Sequence, residues 1–215
     1  LHDHGAGELG IETDLTQLPW EDAYKFLIGS VIPRPIAWVS TTSSDGINNI
    51  APFSFFNGFA AKPLILAFAP MASDDRPQKD TLANIRALGE FVINIATEST
   101  LTQMDSTGRP WAPEIDEFEV AGLTAAPSKV VKPPRIAESP ISFECTLFSL
   151  VPLGDGEGSG TLVLGRAVHL HIDDAILRNG RIDPERLQPV ARMGGPLYAR
   201  PQVLPFRRID REEGH

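Results

Sequence analysis

The chain has one cysteine, Cys145, in 215 residues. No internal disulfide can form, which excludes the small stapled folds and suits a reducing compartment. No apolar run approaches the roughly 18 residues needed to span a bilayer; the longest clean stretch is Leu64 to Ala69. The start, Leu1-His2-Asp3-His4-Gly5, lacks the basic end and apolar stretch of a secretion signal. A cytoplasmic protein is the resulting expectation. Positive charge is also scarce, with 19 Lys and Arg against 28 Asp and Glu, a formal net charge of -9. Such a surface argues against nucleic acid or an anionic membrane as partner. It leaves room for a local anion site, because a helix N-terminus acts at short range.

A dinucleotide loop is missing as well. The Gly-rich run from Gly154 to Gly160 is followed by a strand pattern, not a helix, so it reads as a hairpin end. Asp14, Glu21, Asp22, Asp173 and Asp174 suit caps or solvated turns, because nothing around them suggests a substrate-lined pocket. His169 and His171 share one strand face, but a pair alone is no metal site. A solvated strand face is expected there, and no metal. Cys145 alternates with Ile141, Phe143 and Leu147, the pattern of a buried structural thiol.

What is present is strand-forming sequence. Ile36 to Thr42 is β-branched and aromatic, Asp45-Gly46 supplies a turn, and Ile47 to Phe53 should return antiparallel. Leu64 to Ala69 and Phe91 to Ala96 follow as strands, and Ile141 to Pro152 and Thr161 to Ile172 as two longer ones. Leu82, Ile85 and Leu88 recur at helical spacing between Lys79 and a C-terminal cap at Gly89. A short helix interrupted by Pro19 is expected over Leu15 to Phe26, and another with Leu101 and Met104 inward. Six prolines between Gly108 and Pro140 predict an irregular stretch. The pattern predicts a mainly β fold, an antiparallel barrel with a few peripheral helices. Residues 1–14 read as a loose arm and 15–215 as one domain.

Two stretches depart from plain core sequence. In Asn49-Ile50-Ala51-Pro52-Phe53-Ser54-Phe55-Phe56-Asn57, Pro52 predicts that the strand leaves its ladder. Free N–H groups beside aromatic side chains suit a flat heteroaromatic ring with polar edges; a plug of phenylalanines fits the composition as well. The loop from Ser73 through Arg76 to Lys79-Asp80-Thr81 puts two cations at a helix N-terminus, a workable phosphate site. A capping turn on Asp80 or Thr81 explains it too.

Arg34-Pro35-Ile36-Ala37-Trp38-Val39-Ser40-Thr41, the 49–57 stretch, Lys79-Asp80-Thr81-Leu82-Ala83-Asn84-Ile85 and Glu90-Phe91-Val92-Ile93-Asn94 together resemble the flavin reductase-like family. Its members are FMN-binding split barrels, among them flavoredoxin-like proteins and reductase components of two-component monooxygenases. The resemblance runs from about Tyr24 to Tyr198. It implies an antiparallel split β-barrel and a homodimer with FMN in a cleft at its interface. It implies that Ala51, Pro52, Ser54, Phe55, Phe56 and Asn57 line the ring. It implies that Ser40, Thr41, Arg76, Lys79, Asp80 and Thr81 serve the ribityl and phosphate end. The closing segment Arg192-Met193-Gly194-Gly195 with Tyr198 also resembles the family, and Arg192 and Tyr198 are the candidates for a nicotinamide cleft. The implied activity is NAD(P)H-dependent flavin reduction, with no catalytic side chain beyond the flavin, and a partner monooxygenase is among the implied partners. An electron carrier fed by another protein, and a non-enzymatic FMN-binding module, stay open at this point, as does the choice of NADH or NADPH.

Overall fold

Seven strands form the main sheet of the protein, described here by a computed structural model over residues 10–72 and 79–204. They are β1 (Ala37–Thr42), β2 (Asn48–Phe53), β3 (Phe56–Ala61), β4 (Leu64–Phe68), β5 (Glu90–Ile95), β6 (Ile141–Pro152) and β7 (Thr161–Ile172). Their order across the sheet is β2-β1-β5-β6-β7-β4-β3, and all neighbours run antiparallel. The two edge strands, β2 and β3, are consecutive in the chain. Only Ser54 and Phe55 lie between them. Three peptide steps reach about 10 Å at most, so the sheet must curl until its edges nearly meet. The sheet stays open along that seam, which makes it a split barrel.

Alternation along the strands builds two cores. Inside the curl lie Val39, Phe53, Phe68, Phe91, Ile93 and Val163, with Cys145 among them. Helix α2 (Asp80–Leu88) closes this space with Leu82 and Ile85. It ends, as expected, at Gly89 with φ 69°. Burial drives the Cys145 thiol far up its titration range, which makes it inert. On the outer face, Trp38 and Ile50 pack against Met104, Phe118 and Ile136. These come from α3 (Leu101–Ser106), α4 (Glu117–Ala121) and the Pro-rich stretch, which holds only short elements, as predicted. A small sheet of Arg34–Pro35, Ala191–Arg192 and Tyr198–Ala199 lies beside the seam.

Several expectations need correction. Pro52 does not take the chain out of its ladder, since it pairs with Trp38 and Phe53 still pairs with Ala37. β2 is an edge strand, where a missing N–H faces no neighbour. The segment after it is a strand, β3, whose residues are nearly all exposed. Pro19 does not interrupt a helix but caps one, α1 (Trp20–Ser30). Arg76 and residues 1–9 lie outside the described residues. Among those described, no helix is long and apolar enough to cross a membrane.

The interior is packed to contact around Gly165. A Cβ there would strike the Phe91 ring and lie 3.3 Å from the Cys145 Cβ. Gly165→Ala should therefore destabilise the fold by about 1–3 kcal/mol through overpacking. Urea unfolding measures this; an unchanged midpoint would mean that Phe91 has room to move.

Candidate functional site

The open seam exposes one side of β2, and two cavities sit along it. At one end, α2 begins at Asp80. Its N-cap residue, Lys79, makes no side-chain cap hydrogen bond, since an ammonium group donates and cannot accept from the helix N–H groups. Thr81 is buried, and its hydroxyl donates to Asn49 Oδ1 at 2.8 Å. The Asn49 amide donates in turn to Glu117 Oε1 at 2.7 Å, and the Ile50 N–H donates to Glu117 Oε2 at 3.1 Å. Thr41 donates to Asn49 Oδ1 at 3.3 Å and accepts from the Asn84 amide at 3.0 Å. This network fixes α2 and α4 against β1 and β2. A cavity of about 80 Å³ opens beside it, lined by Ala51, Lys79, Asp80, Thr81, Arg109 and Glu117.

The other end is larger, about 420 Å³, and is lined by Tyr24, Arg34, Ser54, Asp105, Arg192 and Tyr198. Pro52, Gly108 and Arg109 line both cavities, so the two adjoin across these residues as two halves of a trough. Arg34 is its fixed point. Its guanidinium is buried and donates to the carbonyls of Ile28 and Val31 at 2.8 Å each and of Met193 at 3.1 Å. It also donates to the Ser54 hydroxyl at 3.3 Å and lies 5.8 Å from the Phe55 ring centre. Among the described residues no carboxylate lies within salt-bridge distance of Arg34. Burial pulls its titration down, and the charge of Arg192, its strand partner, adds to this. Arg192 stacks 4.6 Å over the Tyr198 ring and donates to the Gly195 carbonyl. The Tyr198 hydroxyl donates to Asp105 at 2.8 Å; burial and this bond push the phenol up, so it stays neutral. The strand partners Arg34 and Arg192 thus bring two guanidinium groups to this end of the trough, with Asp105 beside them.

Of the residues singled out from sequence, Ala51, Pro52, Lys79, Asp80 and Thr81 meet at the small cavity, and Ser54, Arg192 and Tyr198 at the large one. Phe55 packs against Arg34 and Tyr24 of the large cavity. Ser40 is elsewhere. It is fully buried on the Trp38 face, where it donates to the Pro134 carbonyl and accepts from Asn94. Thr41 sits behind Asn49 rather than at the surface, Phe56 packs into the inner core, and Asn57 is exposed. Sequence reasoning assigned no role to Arg34, Asn49, Asp105, Arg109 or Glu117. Arg34 and Asn49 stood inside the quoted motifs; Arg109 and Glu117 come from the Pro-rich stretch, whose course no periodicity reveals.

A cavity of about 470 Å³ between α5 (Pro184–Leu187) and residues 200–203 brings together no comparable set of charges.

With this fold and site, the chain belongs to the flavin reductase like domain family, whose model matches residues 28–190. It is 44% identical over 178 residues to an uncharacterized protein of Aquifex aeolicus, covering 82% of this chain and 89% of the relative. Component B of nitrilotriacetate monooxygenase from Bacillus cereus shares the structure with a TM-score of 0.86 at 34% identity, covering 92% and 98% of the two chains. The 2-nitrobenzoate 2-nitroreductase NbaA of Pseudomonas fluorescens gives a TM-score of 0.80 at 30% identity, over 95% and 100%.

Glu117 generates a pH prediction. Burial raises its carboxyl from 4.5 to about 7, against the pull of the Ile50 N–H and the Asn49 amide, and Asp80 adds to the rise. The folded state therefore holds a proton that the unfolded chain has lost above about pH 4.5. Stability falls as pH rises from there through 7, by roughly 3 kcal/mol from this group. Glu117→Gln should flatten that slope in urea titrations between pH 5 and 8; an unchanged slope would assign it to other groups.

Proposed function

We propose that this chain is an FMN-dependent oxidoreductase that takes hydride from NADH or NADPH, working as a homodimer. The observation that carries the reading is the pair of adjoining cavities, with a helix N-terminus and Lys79 at one and Arg34 and Arg192 at the other. The residues present fit FMN. Lys79 and the start of α2 offer the phosphate a cation and amide donors. Ser54 and Phe55 belong to neither edge ladder; the Phe55 carbonyl accepts from the Ala69 N–H at 2.9 Å, and the N–H groups of the link are the ones that would meet the polar edge of the ring. Arg34 holds that link in place through Ser54. Bound there, FMN supplies the redox chemistry by accepting hydride and passing electrons on. The protein's part is to orient the reactants and set the field. Arg192 and Tyr198 border the space left for a nicotinamide, and the guanidinium groups offset the pyrophosphate charge of either nucleotide. Reduced flavin consumed by a partner monooxygenase is in keeping with the likeness to a monooxygenase component B.

The dimer follows from surfaces the single chain leaves bare. α1 buries no residue, although Phe26 and Leu27 are each 45% exposed. On β3, Phe59 is 63% exposed. A second copy would cover these faces. Sedimentation should give twice 23.4 kDa; a monomer that keeps its flavin would remove the dimer from the reading.

Lys79→Ala should weaken FMN binding by about 1.5–3 kcal/mol while leaving riboflavin nearly unaffected. Equal losses in fluorescence titrations of both would show that Lys79 acts through folding. The activity itself is read by anaerobic stopped-flow on the FMN-loaded protein, with NADH and then NADPH. Tyr198→Ala should slow bleaching of the flavin with little change in FMN affinity. If dithionite bleaches the wild type but neither nucleotide does at millimolar concentration, an electron carrier replaces the reductase.

A further inference from the structure

β7 carries His169 and His171, and the structure sets a third group beside them. Ala167 faces the inner core opposite Cys145. By simple alternation His169 would face inward too. The register slips between Ala167 and His169, leaving Val168 as an extra residue, and His169 pairs instead with Glu144. This bulge turns both histidines to the outer face, onto the Glu144 side chain. The expectation of a solvated face is thereby corrected: His171 Nε2 lies 2.6 Å from Glu144 Oε1. The imidazoles of His169 and His171 are 4.8 Å apart between ring centres. One ligand atom from each of Glu144, His169 and His171 falls within 4.8 Å of the others.

Glu144 is no ordinary surface carboxylate. It is fully buried, and it accepts from the backbone N–H groups of Lys129, Val130 and Val131 at 2.7, 2.6 and 3.1 Å. These bonds and the one to His171 lock its orientation. His171 is half-buried beside it and His169 is exposed, so His169 is free to swing.

We propose that Glu144, His169 and His171 form a binding site for a divalent transition metal of the zinc class. Two imidazoles two residues apart on one strand, with a carboxylate on the neighbouring strand, present three ligands from one side. That is the donor set of an open tetrahedral site with water in the fourth position. Hard cations such as Ca²⁺ and Mg²⁺ prefer all-oxygen shells, so the imidazoles select against them. Binding replaces the proton between His171 and Glu144, widens their separation and draws His169 in. The backbone N–H groups of residues 129–131 hold the carboxylate meanwhile, as carboxylate ligands require. None of the three lines the trough, so the site acts on the outer wall of the barrel and not on hydride transfer.

The test is calorimetric titration of the full chain with Zn²⁺ alone, carried out on a background of His2→Ala, His4→Ala and His215→Ala to remove the terminal histidines. One Zn²⁺ per chain is expected, with proton release. His169→Ala, an exposed change that leaves the fold intact, should weaken binding by at least about tenfold. The His169→Ala/His171→Ala pair should abolish it, with flavin loading unchanged. Co²⁺ should give the intense visible bands of a tetrahedral site in the parent and lose them in the pair. Stoichiometric zinc binding that survives the double change, or no uptake by the parent at micromolar Zn²⁺, would overturn the proposal.

Discussion

A two-residue link, Ser54–Phe55, joins the first and last strands of a seven-stranded sheet. So short a connection forces the sheet to curl until its first and last strands come close, although the two do not pair. Both cavities of the trough are lined by β2, one edge of that seam. The strand before the link is an edge strand and tolerates Pro52 for that reason. The main chain at the link is outside both ladders, and it is tied to the end of β4 by the bond from the Ala69 N–H to the Phe55 carbonyl. The curl of the sheet and the position of the link therefore share one constraint on connectivity.

Arg34 makes the seam rigid. A buried guanidinium without a carboxylate partner is costly unless its donors are satisfied. Here carbonyls of Ile28, Val31 and Met193 satisfy them, from the end of α1 and from the closing segment. Cations are favoured at such helix ends. The arrangement ties three distant pieces of chain to one charge and leaves that charge unneutralised. A net negative protein thereby concentrates positive potential in its trough. The two buried glutamates are treated oppositely: Glu144 is over-supplied with donors and stays ionised, while Glu117 has too few and holds its proton to about pH 7.

Much of the frame was legible. β-Branched and aromatic residues over 37–42, a strand buried on both faces, and the alternation of Ile141, Phe143, Cys145 and Leu147 marked strands, and Leu82, Ile85 and Gly89 marked α2 with its left-handed cap. β3 was not legible, because nearly all of it is exposed and it is held by its ladder with β4, not by an apolar stripe. For the site, motifs marked β2 and the start of α2. They misdirected Ser40, whose small polar side chain reads the same whether it meets a ligand or a buried carbonyl. Glu117 and Glu144 were invisible for a different reason. Their roles depend on partners 67 and 27 residues away, and for Glu144 on a bulge that reverses strand parity.

One helix connects the trough to the molecule's surroundings. Tyr24 and Ile28 of α1 line the large cavity, and the Ile28 carbonyl is one of the acceptors that hold Arg34. The same helix leaves Phe26 and Leu27 in water and has no buried residue of its own. A wall so weakly packed on one side gains little rigidity from this chain alone. Tyr24 meets Phe55 edge-on at 6.5 Å, so movement of the wall is felt directly at the link. Covering the outer face of α1 with a second copy would bury its apolar residues and fix the wall at once. In the proposed reading, the contact that makes the dimer and the contact that shelters the cofactor are then two faces of a single helix, and neither is complete without the other.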